Sequence, residues 1–148
     1  MVPFAAETFV RWVLWLTTSR KQLNFIKRPL ALTPSRFSKP IIPDVTYYGE
    51  KAGYRGKRAF AKMGPMMIEL TELIEGKTLH EQFLKERGEG LHHLGFEVQD
   101  LKESVARAER PGFKVTQSWQ REDGLGFAYL DSDKIGGVIF EMIQWSKE

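Results

Sequence analysis

The chain contains no cysteine among its 148 residues. This absence excludes a disulfide framework, a thiolate metal site and a cysteine nucleophile. A metal ion, if one binds, therefore needs histidine, aspartate or glutamate as its ligands. A chain without cysteine also fits a reducing compartment, so we expect a cytoplasmic protein.

The chain also lacks a long apolar run and a dense basic stripe. The apolar patch at residues 9–16, FVRWVLWL, is interrupted by Arg11 and is much shorter than the roughly 20 residues that span a bilayer. No small-residue cleavage pattern follows it, so we expect neither a membrane span nor a secretory signal. The formal net charge is only +3 and the basic residues are scattered, which does not indicate nucleic-acid binding.

Hydrophobic residues make up 42% of the chain, which is enough for the core of one domain or two small modules. The pattern changes near residue 40, because residues 17–40 contain almost no acidic side chains and show no clean period. We interpret residues 1–40 as an atypical N-terminal segment. We expect poor order there, an improvised helix over residues 9–16, or an exposed apolar patch.

Residues 41–77 have the alternation and turn signals of strands. We predict strands at 45–50, 58–63 and 65–73, with residues 51–56 and the Gly64-Pro65 turn as their separators. We interpret this stretch as the end of a first module.

A linking helix is predicted over residues 78–88, beginning at Thr78 and ending at Gly88. Glu81, three residues after Thr78, would complete a capping box. Residues 89–146 then read as one strand, one helix and three strands, and residues 41–77 resemble the last three strands of the same unit. This repetition indicates an internal duplication. The elements of the second unit are a strand at 91–98, a helix at 101–110 and strands at 113–120, 126–132 and 137–145.

Three predicted strands each carry one ligand-type side chain within an apolar run: Glu69, His93 and Glu141. An unpaired carboxylate there would be costly unless it forms an ion pair, reaches water or binds a cation. Strand alternation places His92 on the face opposite His93, so we interpret His92 as structural. His80, in the linking helix, is predicted to face solvent.

The segments GPMMIELTELIEG, GEGLHHLGFEVQDL and GFAYLDSDKIGGVIFEMIQ together resemble the vicinal-oxygen-chelate superfamily of glyoxalases, bleomycin resistance proteins and dioxygenases. The resemblance covers residues 41–146 and is closest to methylmalonyl-CoA epimerase-like members. It implies an α+β fold of paired βαβββ modules with a mixed, largely antiparallel curled sheet. Here the first module lacks a well-patterned first strand and helix. It also implies a homodimer and a divalent metal ion such as Co, Zn, Ni, Mn or Fe.

The resemblance implies that Glu69, His93 and Glu141 are metal ligands. The fourth ligand of the family, a first-strand histidine, would fall near residue 11, where this chain has Arg11. A site with three ligands, two of them carboxylates, is harder and weaker, and Arg11 would repel a cation. We therefore expect impaired catalysis in this chain.

The activity implied by the resemblance is proton abstraction next to a carbonyl through a metal-stabilised enolate. Glu141 is the expected ligand and catalytic base, and Glu50 is the nearest residue for the second acid or base that an epimerase needs. Gly136 and Gly137 would let backbone amides approach an acyl carboxylate or phosphate, although a tight turn explains them equally well.

The substrate implied is a small molecule, and an anionic acyl-CoA would suit the basic residues Lys134, Arg55 and Lys57, which are equally compatible with a solvated surface. Two other enzyme activities of the superfamily stay open: a lactoylglutathione lyase-like isomerisation and a ring-cleaving dioxygenation. A metal-free binding protein of the bleomycin-resistance type is the alternative outside the enzymes.

A shifted reading frame offers an explanation for the atypical N-terminal segment. When each codon of residues 15–40 starts one base earlier, silent-base choices permit the peptide VVDDLEKAIEFYKKTLGFDPFEVFKA. This peptide has the helix period and turn expected of a first module, and its VVDDLEKA parallels EVQDLKES at residues 97–104. We hypothesise a frameshift that ends near residue 40, which stop codons in the alternative frame of the gene would disprove.

Overall fold

The structure, a computed structural model, describes residues 8–15, 34–38, 41–134 and 136–146. Within these ranges it contains strands and two α-helices, and none of the described helices is long and apolar enough to cross a membrane. The strands are β1 Thr8–Trp15, β2 Pro34–Ser38, β3 Ile41–Tyr47, β4 Glu50–Met63, β5 Met66–Gly76, β6 Gly90–Glu97, β7 Val115–Gln120, β8 Gly126–Leu130 and β9 Ile139–Gln144. The helices are α1 Leu79–Arg87 and α2 Leu101–Glu109, and a short 3-10 turn spans Ser132–Lys134.

The strands form one sheet whose pairings close on themselves. The order is β2-β4-β3-β7-β8-β9-β6-β1-β5, and β4 also pairs with β5. Among the described residues, eight strands therefore follow one another around a ring. The ninth, β2, pairs with the part of β4 that lies beyond its pairing with β3. The β3–β7 ladder is short, with only Thr46↔Ser118 and Tyr47↔Gln117 in register.

The two halves of the ring repeat one another. In each, the first strand lies parallel to the last: β1 beside β5, with Val13 opposite Glu69, and β6 beside β9, with Gly95 opposite Glu141. The two first strands, β1 and β6, pair antiparallel and join the halves. The mixed, curled α+β architecture predicted from the sequence is confirmed.

The described part of the segment 9–16 is not the improvised helix that was one of our expectations, because Thr8–Trp15 is a strand. β1 pairs with β5 on one side and β6 on the other, and these two ladders satisfy its backbone hydrogen-bonding groups. Ladder formation thus outweighs the weak local pattern. The side chains of this segment and all of residues 16–33 lie outside the described residues, so the expected lack of a well-formed first helix stays a prediction.

The predicted strand at 45–50 is in fact a hairpin, and the predicted separator at 51–56 belongs to β4. The chain turns at Tyr48 and Gly49, whose φ angles are 47° and 83°. Two consecutive positive φ angles match the type I′ turns that suit the twist of hairpin strands. β4 continues for 14 residues and pairs with β5 up to the predicted Gly64-Pro65 turn.

Apolar side chains fill both faces of the second half of the sheet. On the outer face α2 packs against β8 and β9, with Leu101 and Met142 at the centre of a buried cluster. Met142 and Glu141 are consecutive in β9 and point to opposite faces, as the sequence predicts. Inside the ring, an aromatic-rich cluster packs beside the polar residues described below; its members are Ile42, Val45, Tyr47, Tyr54, Leu79, Phe127, Tyr129 and Ile139.

Helix α1 begins after Thr78 and is capped at Gly88, as predicted, but the capping box does not form. The Thr78 hydroxyl instead donates to Gln117 Oε1 at 2.8 Å, and the same oxygen accepts from the Leu79 amide at 2.9 Å. Glu81 pairs with Lys85 on the exposed face. A glutamine of the second module thus fixes the start of the linking helix.

Candidate functional site

Ionisable and aromatic side chains converge inside the ring from both modules. We call this set the interior cluster. It includes the three histidines of the chain, and its histidines and glutamates are at most 4% exposed. Its members are Tyr54 and Arg58 of β4, Glu69 of β5, His80 of α1, His92 and His93 of β6, Tyr129 of β8 and Glu141 of β9.

His93 and Glu141 form a buried pair. His93 Nε2 lies 3.1 Å from Glu141 Oε2, and each residue is only 2% exposed. The parallel register of β6 and β9 places Gly95 opposite Glu141, so His93 lies two residues upstream on the same face. Gly95 has no side chain to separate them. The structure brings these two of the three predicted ligand residues into contact, and their role as metal ligands stays a prediction.

Glu69 is bound by two neighbours from its own module. Arg58 Nε lies 3.2 Å from Glu69 Oε1, and Thr71 Oγ1 donates to the same oxygen at 3.1 Å. Thr71 lies opposite Arg58 in the β4–β5 ladder, which brings the guanidinium beside the carboxylate. Arg58 Nη2 also donates to the Tyr54 hydroxyl at 2.8 Å.

The described residues do not fit a divalent ion held by Glu69, His93 and Glu141 together. Nowhere in the described ranges do three histidine, aspartate or glutamate side chains approach closely enough to hold an ion. The Arg58 guanidinium, in contact with Glu69, already gives this carboxylate a positive partner. The predicted ligand set therefore stays a prediction.

His92 is not separated from His93 as strand alternation predicted. Against β1, Val13 pairs with His93 and the next residue, Leu14, pairs with Leu91, so His92 is the extra residue of a β-bulge. The bulge brings His92 Nδ1 within 2.6 Å of His93 Nδ1. One nitrogen donates and the other accepts. With His92 as the donor, the His93 proton lies on Nε2, the nitrogen that faces Glu141 Oε2.

His80 does not face solvent; it is fully buried and its ring lies among other rings of the cluster. The centroid distances are 5.5 Å to Tyr54, 4.9 Å to His92 and 5.5 Å to Tyr129. The anchor from Gln117 at the start of α1 orients the helix so that its second residue points inward. Burial holds the pKa of His80 well below its usual value, and the charges of His92 and His93 lower it further.

The two tyrosines of the cluster are neutral hydrogen-bonding groups. Burial raises the pKa of Tyr129 well above its usual value, with Glu141 as the next cause, and burial also raises the pKa of Tyr54. Burial alone would lower the pKa of Arg58, but Tyr54 and Glu69 raise it above its ordinary value, so the guanidinium stays charged.

Sequence reasoning missed Tyr54, Arg58 and Tyr129. Tyr54 and Arg58 are four residues apart in β4, which alternation places on a shared face, but the sequence predicts a separator at 51–56 and a strand only from Arg58 onward. Tyr129 lies directly opposite Glu141 in the β8–β9 ladder, and its ring centroid is 4.9 Å from that of His93. Only the strand register shows this proximity.

Glu50 is not brought to the interior cluster. It begins β4 beside the hairpin turn, where its exposed carboxylate lies 3.2 Å from Lys77 Nζ. The proposed second acid or base is therefore placed at the surface, because the 51–56 stretch is strand and carries Glu50 to its outer end.

Gly136 and Gly137 lie in an exposed turn before β9, with φ angles of 79° and 77°. The Gly137 carbonyl accepts from Arg87 Nη1 at 2.9 Å, and its amide donates to the Asp133 carbonyl. The positive φ angles account for the two glycines as a tight turn. Their role as substrate-binding amides stays a prediction. The three basic residues considered for an anionic substrate each pair with an acid at the surface: Arg55 with Glu75, Lys57 with Glu72 and Lys134 with Asp131.

The position expected for the missing histidine is occupied by Arg11. Arg11 lies two residues before Val13, which is the β1 partner of Glu69. In the same way, His93 lies two residues before Gly95, which is the β6 partner of Glu141. The two modules therefore differ at equivalent register positions, with arginine in one first strand and histidine in the other.

Two halves with the same strand-pairing pattern close into a ring around buried carboxylates and histidines. Residues 21–129 match the family model for the glyoxalase/bleomycin resistance protein/dioxygenase superfamily, and the chain belongs to this family. The resemblance inferred from the sequence is confirmed.

Individual relatives are distant. The uncharacterized protein YqjC of Bacillus subtilis is 25% identical over 88 residues, which cover 58% of this chain and 63% of the relative. The matched part of this chain thus spans less than two thirds of that relative's length.

Among solved structures, hypothetical protein BH1468 of Bacillus halodurans superposes with a TM-score of 0.70 at 20% identity, covering 95% of this chain and 96% of that one. Methylmalonyl-CoA epimerase of Mycobacterium tuberculosis gives 0.69 at 14% identity, covering 94% and 88%. The Streptomyces coelicolor epimerase in complex with 2-nitronate-propionyl-CoA gives 0.70 at 15%, covering 94% and 97%. At these identities the likeness shows a shared fold.

Proposed function

We infer that this chain catalyses proton exchange at the carbon next to the carbonyl of a small acyl compound, as an epimerase-type enzyme. The observation that carries this proposal is the buried contact of 3.1 Å between His93 Nε2 and Glu141 Oε2. Burying a carboxylate and an imidazole is costly, and such pairs of titratable groups are frequent at catalytic sites. Two of the structural neighbours are methylmalonyl-CoA epimerases, which supports the same reaction class.

Glu141 is the proposed base. Its carboxylate would take the proton from the carbon, the C–H electron pair would pass into the carbonyl to form an enolate, and return of a proton to carbon would complete the exchange. His93 holds Glu141 in place through Nε2, and His92 fixes the orientation of His93 through the Nδ1 contact. We propose His93 as a positioning residue for the carboxylate.

Solvent deuterium incorporation tests the proposal. The full chain is incubated in D₂O with a 2-methyl-branched acyl-CoA such as methylmalonyl-CoA, and mass spectrometry follows the gain of one mass unit. We expect exchange in the wild type and a loss of about 10²-fold or more in Glu141→Gln, because an amide cannot accept the proton. Glu50→Gln, an isosteric change at an exposed carboxylate, is the control and should keep the wild-type rate.

The wild-type rate in this assay also tests the sequence-based expectation that catalysis is impaired. A rate equal for wild type and Glu141→Gln would contradict the assignment of the base.

A binding protein without chemistry is the second candidate. The observation that favours it is the ion pair between Arg58 and Glu69, which gives one predicted metal ligand a protein partner. Equilibrium dialysis with the same acyl-CoA distinguishes the two candidates. Binding by a wild-type chain that incorporates no deuterium would favour the binding protein.

A further inference from the structure

Among the side chains that the structure describes, Arg58 is the one arginine of the interior cluster. Its guanidinium contacts a carboxylate and a phenol inside the ring, through Nε to Glu69 and Nη2 to Tyr54. The Glu69 side chain is 5% exposed, whereas the Arg58 side chain keeps 20% of its surface accessible. The Arg58 side chain is therefore the more accessible member of the pair, although its Nε atom is buried.

The charges around this pair show why a cation is needed. Two carboxylates, Glu69 and Glu141, are buried in one ring, and burial of like charges in a low-dielectric interior is unfavourable. Among the described residues, no three histidine, aspartate or glutamate side chains lie close enough together to hold a divalent ion. Arg58 provides a fixed positive charge in direct contact with one of the carboxylates.

A guanidinium is also a good partner for an oxygen anion of a substrate. Its planar fork of N–H donors matches carboxylates and oxyanions, and it remains charged in every accessible pH range. A positive group placed where negative charge develops lowers the barrier for enolate formation.

We propose that Arg58 supplies the positive charge that the superfamily fold otherwise takes from a divalent ion, and that it binds a carboxylate or enolate oxygen of the substrate. The catalytic part of this inference, stabilisation of an enolate, rests on the proposed proton-transfer function. The binding of an anionic oxygen by Arg58 does not. Glu69, held by Arg58, is then a partner of the guanidinium rather than a metal ligand.

Metal affinity gives the first test, independent of activity. Purified full-length chain is titrated with Co²⁺, followed by calorimetry and visible absorption. Arg58→Met removes the positive charge beside Glu69, and we expect Co²⁺ affinity to rise about tenfold or more over the wild type. Arg58→Lys keeps the charge and should resemble the wild type.

The matched control is Arg55→Met, on the same strand, where the exposed arginine pairs with Glu75. It should leave Co²⁺ affinity unchanged. A wild-type chain that binds one equivalent of Co²⁺ as tightly as Arg58→Met would overturn the proposal.

Anion binding gives the second test, with methylmalonate as the probe and EDTA present throughout. We expect the wild type to bind it, Arg58→Met to lose about tenfold or more in affinity, and Arg58→Lys to lie between them because lysine cannot form the fork. Absence of methylmalonate binding by the wild type, or equal binding by Arg58→Met, would overturn the anion site.

Circular dichroism verifies folding of each variant. If Arg58→Met fails to fold, the double variant Arg58→Met with Glu69→Gln removes both charges of the pair and replaces it in the anion titration. These two titrations involve no turnover. A wild-type chain that shows Arg58-dependent methylmalonate binding but no deuterium exchange would refute the proposed enzyme function. The binding role of Arg58 would then stand.

Discussion

Gln117 Oε1 accepts a hydrogen bond from Thr78 Oγ1 at 2.8 Å, although 39 residues separate them in sequence. Gln117 is fully buried in β7, and the same oxygen also accepts from the first amide of α1. One side chain of the second module thus determines where the linking helix begins and, through the helix, where His80 lies.

Replacement of Gln117 by leucine should destabilise the protein. The variant leaves a buried hydroxyl and a buried amide without their acceptor, at a cost of about 1–3 kcal/mol each. We expect the free energy of unfolding, measured in urea, to fall by about 2–6 kcal/mol. Gln120→Leu is the control, since Gln120 is exposed at the end of the same strand, and its effect should stay within about 0.5 kcal/mol. Equal effects of the two variants would contradict the role of Gln117.

Acidification should destabilise the fold through the buried histidines. Burial lowers the pKa of both His80 and His92 well below the usual 6.5. Above that value both states are neutral and the pH has no effect through these groups. Below about pH 6.5 these histidines become protonated in the unfolded chain but stay neutral in the folded chain. The free energy of unfolding therefore falls as the pH is lowered, by up to about 1.4 kcal/mol per pH unit for each histidine.

Urea unfolding at pH 7.5, 6.5 and 5.5 measures this dependence. His80→Phe, which keeps a ring at the position, should remove part of the slope below pH 6.5. A wild-type stability that is constant from pH 7.5 to 5.5 would show that the histidines are not held neutral by the fold.

Gly76 should not tolerate a side chain. Its φ is 108°, and a Cβ there would lie 2.3 Å from the Gly53 carbonyl oxygen and 2.6 Å from the Tyr54 Cα, both of them backbone atoms. We expect Gly76→Ala to lower the free energy of unfolding by about 2 kcal/mol or more, because backbone must move and the positive φ is strained. Gly90→Ala, at a position with open space around it, is the control. A Gly76→Ala variant as stable as Gly90→Ala would contradict the close approach.

Arg11→His should strengthen metal binding when the charge of Arg58 is also removed. The register places Arg11 where the second module has His93. We expect Arg11→His with Arg58→Met to bind Co²⁺ about tenfold or more tightly than Arg58→Met alone, since an added imidazole suits this metal. Arg11→Gln in the same background is the control for loss of charge without a ligand. Equal affinities for the histidine and glutamine variants would show that position 11 does not reach the ion.

The second module could be predicted from the sequence in considerable detail. Alternation and helix stop signals gave a helix ending near Pro111-Gly112 and the strand carrying His93, and the structure has α2 and β6 there. The same reasoning placed Glu141 on the inner face of β9. Local patterns decide these elements, because each has one apolar face and a clear boundary residue.

The errors arise where contacts distant in sequence decide the outcome. The bulge that turns His92 toward His93 depends on the pairing of β6 with β1, and the sequence of β6 alone does not predict it. His80 is buried because Gln117 holds its helix, which a helix pattern alone cannot reveal. The sequence does not identify Arg58 as a site residue for the same reason, because its place in the site depends on its contact with Glu69 of the neighbouring strand.

The short β3–β7 ladder affects how the interior can be reached. Separation of these strands breaks two residue pairs, whereas the β4–β5 ladder has ten. Each module would survive the separation, because its own first and last strands remain side by side. Local opening at this seam therefore has a lower free energy than global unfolding. If the β3–β7 ladder opened, a small molecule would have a path to the interior while the β1–β5 and β6–β9 ladders stay paired.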